Sequence, residues 1–150
     1  CEIQDTGRPF YGVYYGQAAL PHAPERLFYL DNAVIRGLQV YNVETQSDIP
    51  VYDLGAAAGR DPYEMFLGGA RSIIKITNPN AAQERRLIVF RDSFGSSIAP
   101  LLAAGYSEIT LVDIRYISPL SLGKLIDFTK ADDVLFLYSA SVINNSETIK

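Results

Sequence analysis

The chain has no tryptophan, one cysteine, one histidine and one methionine. A lone Cys1 excludes an internal disulfide, and no Cys/His cluster exists to hold a structural zinc. With His22 the single histidine, in a proline-flanked loop, His-rich transition-metal sites are excluded as well. No metal and no cofactor is expected. No apolar run approaches the roughly 18 residues of a membrane span, and no signal peptide is evident. The 13 basic residues form no concentrated block against 17 acidic ones, and the net charge of −4 argues against nucleic acid as a partner. The phosphate loop Gly-x-x-x-x-Gly-Lys-Ser/Thr is also missing, which argues against nucleotide chemistry. Cys1 in place of an initiating Met reads as a processed product or an excised piece.

What is there suffices for a core. At 150 residues and 48% hydrophobic, the chain is expected to form one domain. A chain of this length buries on the order of two thirds of its unfolded surface. Ten tyrosines are abundant, and tyrosines in strands are usually half-buried packing residues. An exposed cluster drawn from Tyr11, Tyr14, Tyr15, Tyr29 and Tyr41 would instead suit a glycan-binding surface.

Residues 1–56 read as β-rich. Phe10 to Gly16 mixes aromatics with glycines, as hairpins and bent strands do. Arg26–Leu30 and Gly37–Val43 are strand candidates. Asp31-Asn32 marks a turn between them, and Ala33 to Arg36 is able to extend a strand. Residues 57–150 change character: Asp61-Pro62-Tyr63-Glu64-Met65-Phe66-Leu67 suits a brief helix with Pro in its first turn and Gly68-Gly69 beyond it. Ser72 to Thr77 reads as a strand, broken by Asn78-Pro79-Asn80. From Arg86 the pattern is β-α-β-α-β. Strands at Leu87–Phe90, Glu108–Asp113 and Val134–Tyr138 alternate with helices near Ser97–Ala104 and Leu120–Thr129. This predicts parallel strands joined by right-handed crossovers.

The stretch from Arg86 to Leu102 organises the chain. An apolar strand runs into Asp92-Ser93-Phe94-Gly95-Ser96-Ser97, and Ile98, Leu101 and Leu102 then recur at helical spacing. A strand, a tight turn and a helix start place Ser93 at the carboxyl edge of an open α/β sheet, where ligands usually bind. Three readings attach to the turn. Ser93 is a nucleophile on an elbow; or Gly95-Ser96-Ser97 cradles an anion at a helix N-terminus; or Asp92 or Ser93 caps the helix. The same edge receives Asp113, Arg115, Tyr116, Tyr138 and Ser139, with Asp113 and Arg115 expected to form an ion pair or loop brace. Arg91, Arg115, Tyr116 and Tyr138 stand as candidate substrate contacts. A serine nucleophile needs a base that a third group orients, and nothing in the sequence places His22 beside Ser93.

The run Arg91-Asp92-Ser93-Phe94-Gly95-Ser96-Ser97-Ile98-Ala99-Pro100-Leu101-Leu102, followed by Tyr106-Ser107-Glu108-Ile109-Thr110-Leu111-Val112-Asp113-Ile114-Arg115-Tyr116, resembles the C-terminal part of the DHHW family of bacterial exported proteins. Asp61 to Gly69 and Asp133 to Tyr138 also fit its pattern, so the likeness covers about residues 50 to 145. That family is similar to SGNH-type hydrolases and alginate O-acetyltransferases, in which a Gly-Asp-Ser-like block ends the first parallel strand. The resemblance implies an SGNH-like three-layer α/β fold, with a small parallel sheet over residues 72–140 and a β-rich elaboration before it. It implies catalytic roles for Ser93 and Asp92, and acyl-ester hydrolysis or acetyl transfer on an envelope polysaccharide outside the cytoplasm. Two departures stand out. Arg91 replaces the usual Gly of the block, and the Asp-His-His-Trp segment that would serve the serine has no counterpart. The chain therefore reads as a serine-bearing fragment, expected to be inactive without an upstream half of its parent protein. The competing reading is a non-catalytic module of the envelope that binds glycan or serves structure.

Overall fold

The structure is a computed structural model that describes residues 1–12, 23–145 and 147. His22, Tyr14 and Tyr15 lie outside the described residues. Two sheets form. A hairpin pairs β1 (Glu2–Phe10) with β2 (Glu25–Asp31) antiparallel. The main sheet has six strands: β3 (Gln39–Asn42), β4 (Ser47–Ile49), β5 (Ile73–Thr77), β6 (Arg86–Arg91), β7 (Glu108–Val112) and β8 (Asp133–Leu137), in the order β4-β3-β5-β7-β6-β8. The chain is thus of the α/β class, with β6 parallel to both β7 and β8.

The rest of the sheet departs from the expected parallel arrangement. β5 runs antiparallel to β7, and β3 and β4 continue the sheet antiparallel beyond it. The cause is linker length. A crossover between parallel strands needs about a dozen residues or more, usually helical. The linker 78–85 from β5 to β6 is shorter and holds no helix, so the two strands run in opposite directions. The β-rich N-terminal part therefore divides: β1–β2 stand apart, while β3–β4 belong to the main sheet. Ala33–Arg36 forms a one-turn helix, α1, instead of extending a strand, because the side chain of Asn32 accepts the Ile35 N–H at 2.9 Å.

β6 is buried on both faces, its side chains alternating between two helical layers. Leu87 and Val89 point to one side, against Ala99 and Ala103 of and beside α2 (Gly95–Leu102). Ile88 points to the other, with Ile73 and Val112, under Leu122 and Ile126 in and after α3 (Pro119–Leu125). The helix expected through Thr129 ends early, at Leu125, and resumes as a 3₁₀ turn at Phe128–Lys130 capped by Asp127. Chain direction explains the two faces. The path leaves β6 through α2 to β7 on one flank and returns through α3 to β8 on the other. The carboxyl end of β6 is therefore a point where strand order reverses, the place at which open α/β sheets open a crevice.

A third cluster seats the hairpin. Leu27, Ala57, Met65 and Phe66 are buried with Phe10, Tyr29, Tyr52 and Tyr63 around them. Tyr29 is half-buried, with its ring 4.9 Å from that of Tyr52. Tyr41 sits apart, on β3 of the main sheet. Tyr52 donates its hydroxyl to the Leu30 carbonyl at 2.9 Å, and its pKa is pushed up to about 12 by burial, with the charge of Asp31 adding to the effect. The folded chain holds this proton more tightly than the unfolded one, whose tyrosine titrates near 10. The stabilisation is complete below about pH 10 and disappears as pH rises toward about 12. Urea unfolding across this range should show a shallower loss of stability in Tyr52→Phe, after an initial cost of about 1 kcal/mol for the lost bond. Parallel curves for the two proteins would contradict the assignment.

Candidate active site

The turn after β6 is built by Asp92, not by a helix cap. Its carboxylate is buried and bridges two strands' ends: Oδ1 accepts the Phe94 N–H at 3.0 Å and Oδ2 accepts the Ser139 N–H at 2.6 Å. Its carbonyl accepts the Gly95 N–H at 3.1 Å, while the Ser93 carbonyl accepts the Ser96 N–H at 3.1 Å. The N–H groups of Phe94, Gly95 and Ser96 are thereby committed within the turn. An anion cradle at Gly95-Ser96-Ser97 loses those donors. Phe94 occupies the N-cap position of α2 with no side-chain bond, so neither Asp92 nor Ser93 caps that helix. Ser93 is left exposed, and neither its hydroxyl nor its N–H makes a hydrogen bond among the described residues.

Beneath the turn lies a buried charge cluster. Arg91 and Asp113 are both 0% exposed, with Nη1 of Arg91 3.7 Å from Oδ2 of Asp113. Arg91 also donates to the carbonyls of Asp92 (3.3 Å) and Arg71 (3.4 Å). Burial lowers its pKa while the charges of Asp113 and Asp92 oppose that shift. Asp113 in turn receives Arg115 in a fork, Nε to Oδ1 at 2.9 Å and Nη2 to Oδ2 at 2.7 Å, and accepts the Arg115 N–H at 3.1 Å. These bonds to Asp113 raise the Arg115 pKa. Two arginines balance two aspartates at the ends of adjacent strands. Gly95 must be glycine for the same reason: a Cβ there would stand 2.6 Å from Cβ and 2.9 Å from Cγ of Arg91.

The residues singled out in the sequence gather as expected along one sheet edge, in different settings. Arg91 lies buried beneath the turn, and its contacts there are with Asp113 and the carbonyls of Asp92 and Arg71. Arg115 is partly exposed, and its guanidinium lies 5.4 Å from the ring of the exposed Tyr116. The Tyr138 hydroxyl is buried with no hydrogen-bond partner among the described residues, and burial, then the charges of Asp113 and Asp92, raise its pKa. Sequence reasoning did not find Tyr63. This residue of the 3₁₀ turn Pro62–Met65 donates to Ser97 Oγ at 2.8 Å and packs edge-on to Phe94 at 6.4 Å. Burial raises the Tyr63 pKa. The brief-helix signal of Asp61-Pro62 was readable, but not its apposition to a turn 34 positions later.

No protein-family model and no curated protein sequence matches the chain. Its fold is similar to solved structures. A DHHW family protein from Eubacterium siraeum DSM 15702 superposes with a TM-score of 0.70 at 21% identity, over 98% of this chain and 50% of that one. Bacillus cereus PatB1 with a sulfonyl adduct gives 0.70 at 24%, over 95% and 48%. PatB1 without it gives 0.64 at 26%, over 83% and 43%. The resemblance to a DHHW family protein is thus seen in the fold, and the chain spans about half the length of these neighbours.

Two glycines separate packing from propensity. Gly123 lies inside α3, and a Cβ there would meet nothing within 4 Å. Gly123→Ala should therefore stabilise by about 0.5–1 kcal/mol, whereas Gly95→Ala should destabilise by about 1–3 kcal/mol by displacing Arg91. Urea unfolding of both variants checks the pair, and a neutral Gly95→Ala would contradict the close packing under the turn.

Proposed function

We propose that Ser93 is the nucleophile of an acyl-transfer site with an SGNH-like three-layer architecture, acting on an envelope polysaccharide outside the cytoplasm as an acyl esterase or O-acetyltransferase. The observation that carries this reading is Ser93 itself. At the reversal point of the sheet, its hydroxyl and its N–H are both unengaged among the described residues, while the N–H groups of Phe94, Gly95 and Ser96 are committed within the turn. The PatB1 structure with a sulfonyl adduct adds support, because such adducts form when a reactive nucleophile displaces a leaving group at sulfur.

In this reading Ser93 Oγ bonds to the acyl carbonyl carbon and gives its proton to a base. The Ser93 N–H holds the oxyanion that forms. Collapse of the tetrahedral species expels the first alkoxide, protonated by the same base, and leaves an acyl-serine. Water or a sugar hydroxyl then takes the acyl group by the reverse steps. Asp92 and Arg91 set the position of Ser93; the partly exposed Arg115 and the exposed Tyr116, on the same edge, are the substrate contacts. The base and its orienting carboxylate come from a further half of the polypeptide, in keeping with the solved neighbours being about twice as long as residues 1–150.

Acetyl-ester turnover tests this. Residues 1–150 alone are expected to stay at background with or without Ser93. In a polypeptide extended to the neighbours' length, Ser93→Ala should reduce turnover by a factor of about 10³ or more. Turnover by the extended polypeptide that survives Ser93→Ala would rule the reading out. Activity of residues 1–150 that Ser93→Ala abolishes would place the base within them, with His22 the first residue to substitute.

A further inference from the structure

The two edges of the main sheet differ. β4, at one end, is three residues long and carries the exposed Ser47 and Asp48, which blunt it against further pairing. β8, at the other end, has no proline, and its one charge, Asp133, lies at its start. That charge is occupied by Arg85 at 2.5 Å and by Tyr106 at 3.0 Å. From Val134 to Leu137 the edge is apolar, and β6 is its one strand partner among the described residues.

The faces of β8 differ as well. Leu135 and Leu137 pack against the core on the α2 side. Val134 and Phe136, on the opposite face, are 51% and 68% exposed. α3 covers Ile73, Ile88 and Val112 on that face and stops short of β8. What lies against Phe136 is the Phe90 ring, stacked at 4.9 Å, which is stacked in turn at 6.3 Å on Phe128, 40% exposed. Three parallel rings beside the open edge of a strand form a surface that water does not favour.

We infer that β8 is the seam at which the second half of the polypeptide docks: a further β-strand pairs with β8 and covers Val134 and Phe136 with apolar side chains. The length relation supports this occupant: the solved neighbours are about twice as long as residues 1–150, and a further half of that size has apolar surface of its own to bury against such an edge. The inference rests on the proposed function and deepens it. Ser139, just past β8, is bonded to Asp92 beside Ser93. One end of an added strand lies about two strand spacings, roughly 10 Å, from β6. A loop there is within reach of Ser93, so the seam puts the base where the chemistry needs it.

Hydrogen exchange and thermal unfolding test the seam without reading turnover, so a failed acyl-transfer reading leaves this test standing. In residues 1–150 the β8 amides that face away from β6 should exchange about 100-fold or more faster than those of β6. In the extended polypeptide they should be comparably protected. Val134→Lys should move the Tm of residues 1–150 by less than about 3 °C and lower that of the extended, monomeric polypeptide by about 5 °C or more. Equal β8 exchange in the two lengths would overturn the proposal, as would protection that arises only when two copies associate.

Discussion

The pairing of Arg91 with Asp113 is the constraint around which the site is arranged. Both groups are removed from water, which costs several kcal/mol per ion unless partners compensate. Compensation is assembled from three strand ends. β7 supplies Asp113 with Arg115 behind it, β6 supplies Arg91 and Asp92, and β8 leads to the Ser139 N–H. Once Arg91 occupies the space below the turn, Gly95 cannot carry a side chain, and the first turn of α2 settles directly over the arginine stem. Loss of one partner would strand a buried charge, which fixes the relative positions of the three carboxyl ends.

This arrangement determines what Ser93 can do. The Asp92 carboxylate and carbonyl take up Phe94 and Gly95, and the Ser93 carbonyl takes up Ser96. Tyr63 holds Ser97 from the far side. The turn is thus fixed from below and from one flank, and the serine at its apex is free. A rigid frame around an unengaged hydroxyl and N–H is the kind of preorganisation that acyl transfer exploits. The short α2 helix adds only a modest field at its N-terminus.

Much of this was legible in the sequence where local pattern decides structure. The apolar runs at Leu87–Phe90 and Glu108–Val112, the turn residues after Phe90, and the Asp113–Arg115 spacing each point to the element found. The features that stayed hidden depend on distant residues. β5 has the composition of any buried strand, and its direction follows from the short linker 78–85 more than from its own residues. Arg91 reads as a candidate substrate contact at a strand end; only the fold shows it enclosed beneath Gly95. Tyr63 looks like one tyrosine among many until the 3₁₀ turn is brought against Phe94. The Leu120–Thr129 periodicity promised a longer helix, but Asp127 takes the Thr129 N–H and starts a separate turn.

The most direct test of the central claim is covalent labelling of the extended polypeptide with phenylmethanesulfonyl fluoride, mapped by peptide mass spectrometry. The expected result is one sulfonyl group on Ser93 and none on the Ser93→Ala protein. Modification of Ser96, Ser97 or Ser139 with Ser93 untouched would contradict it.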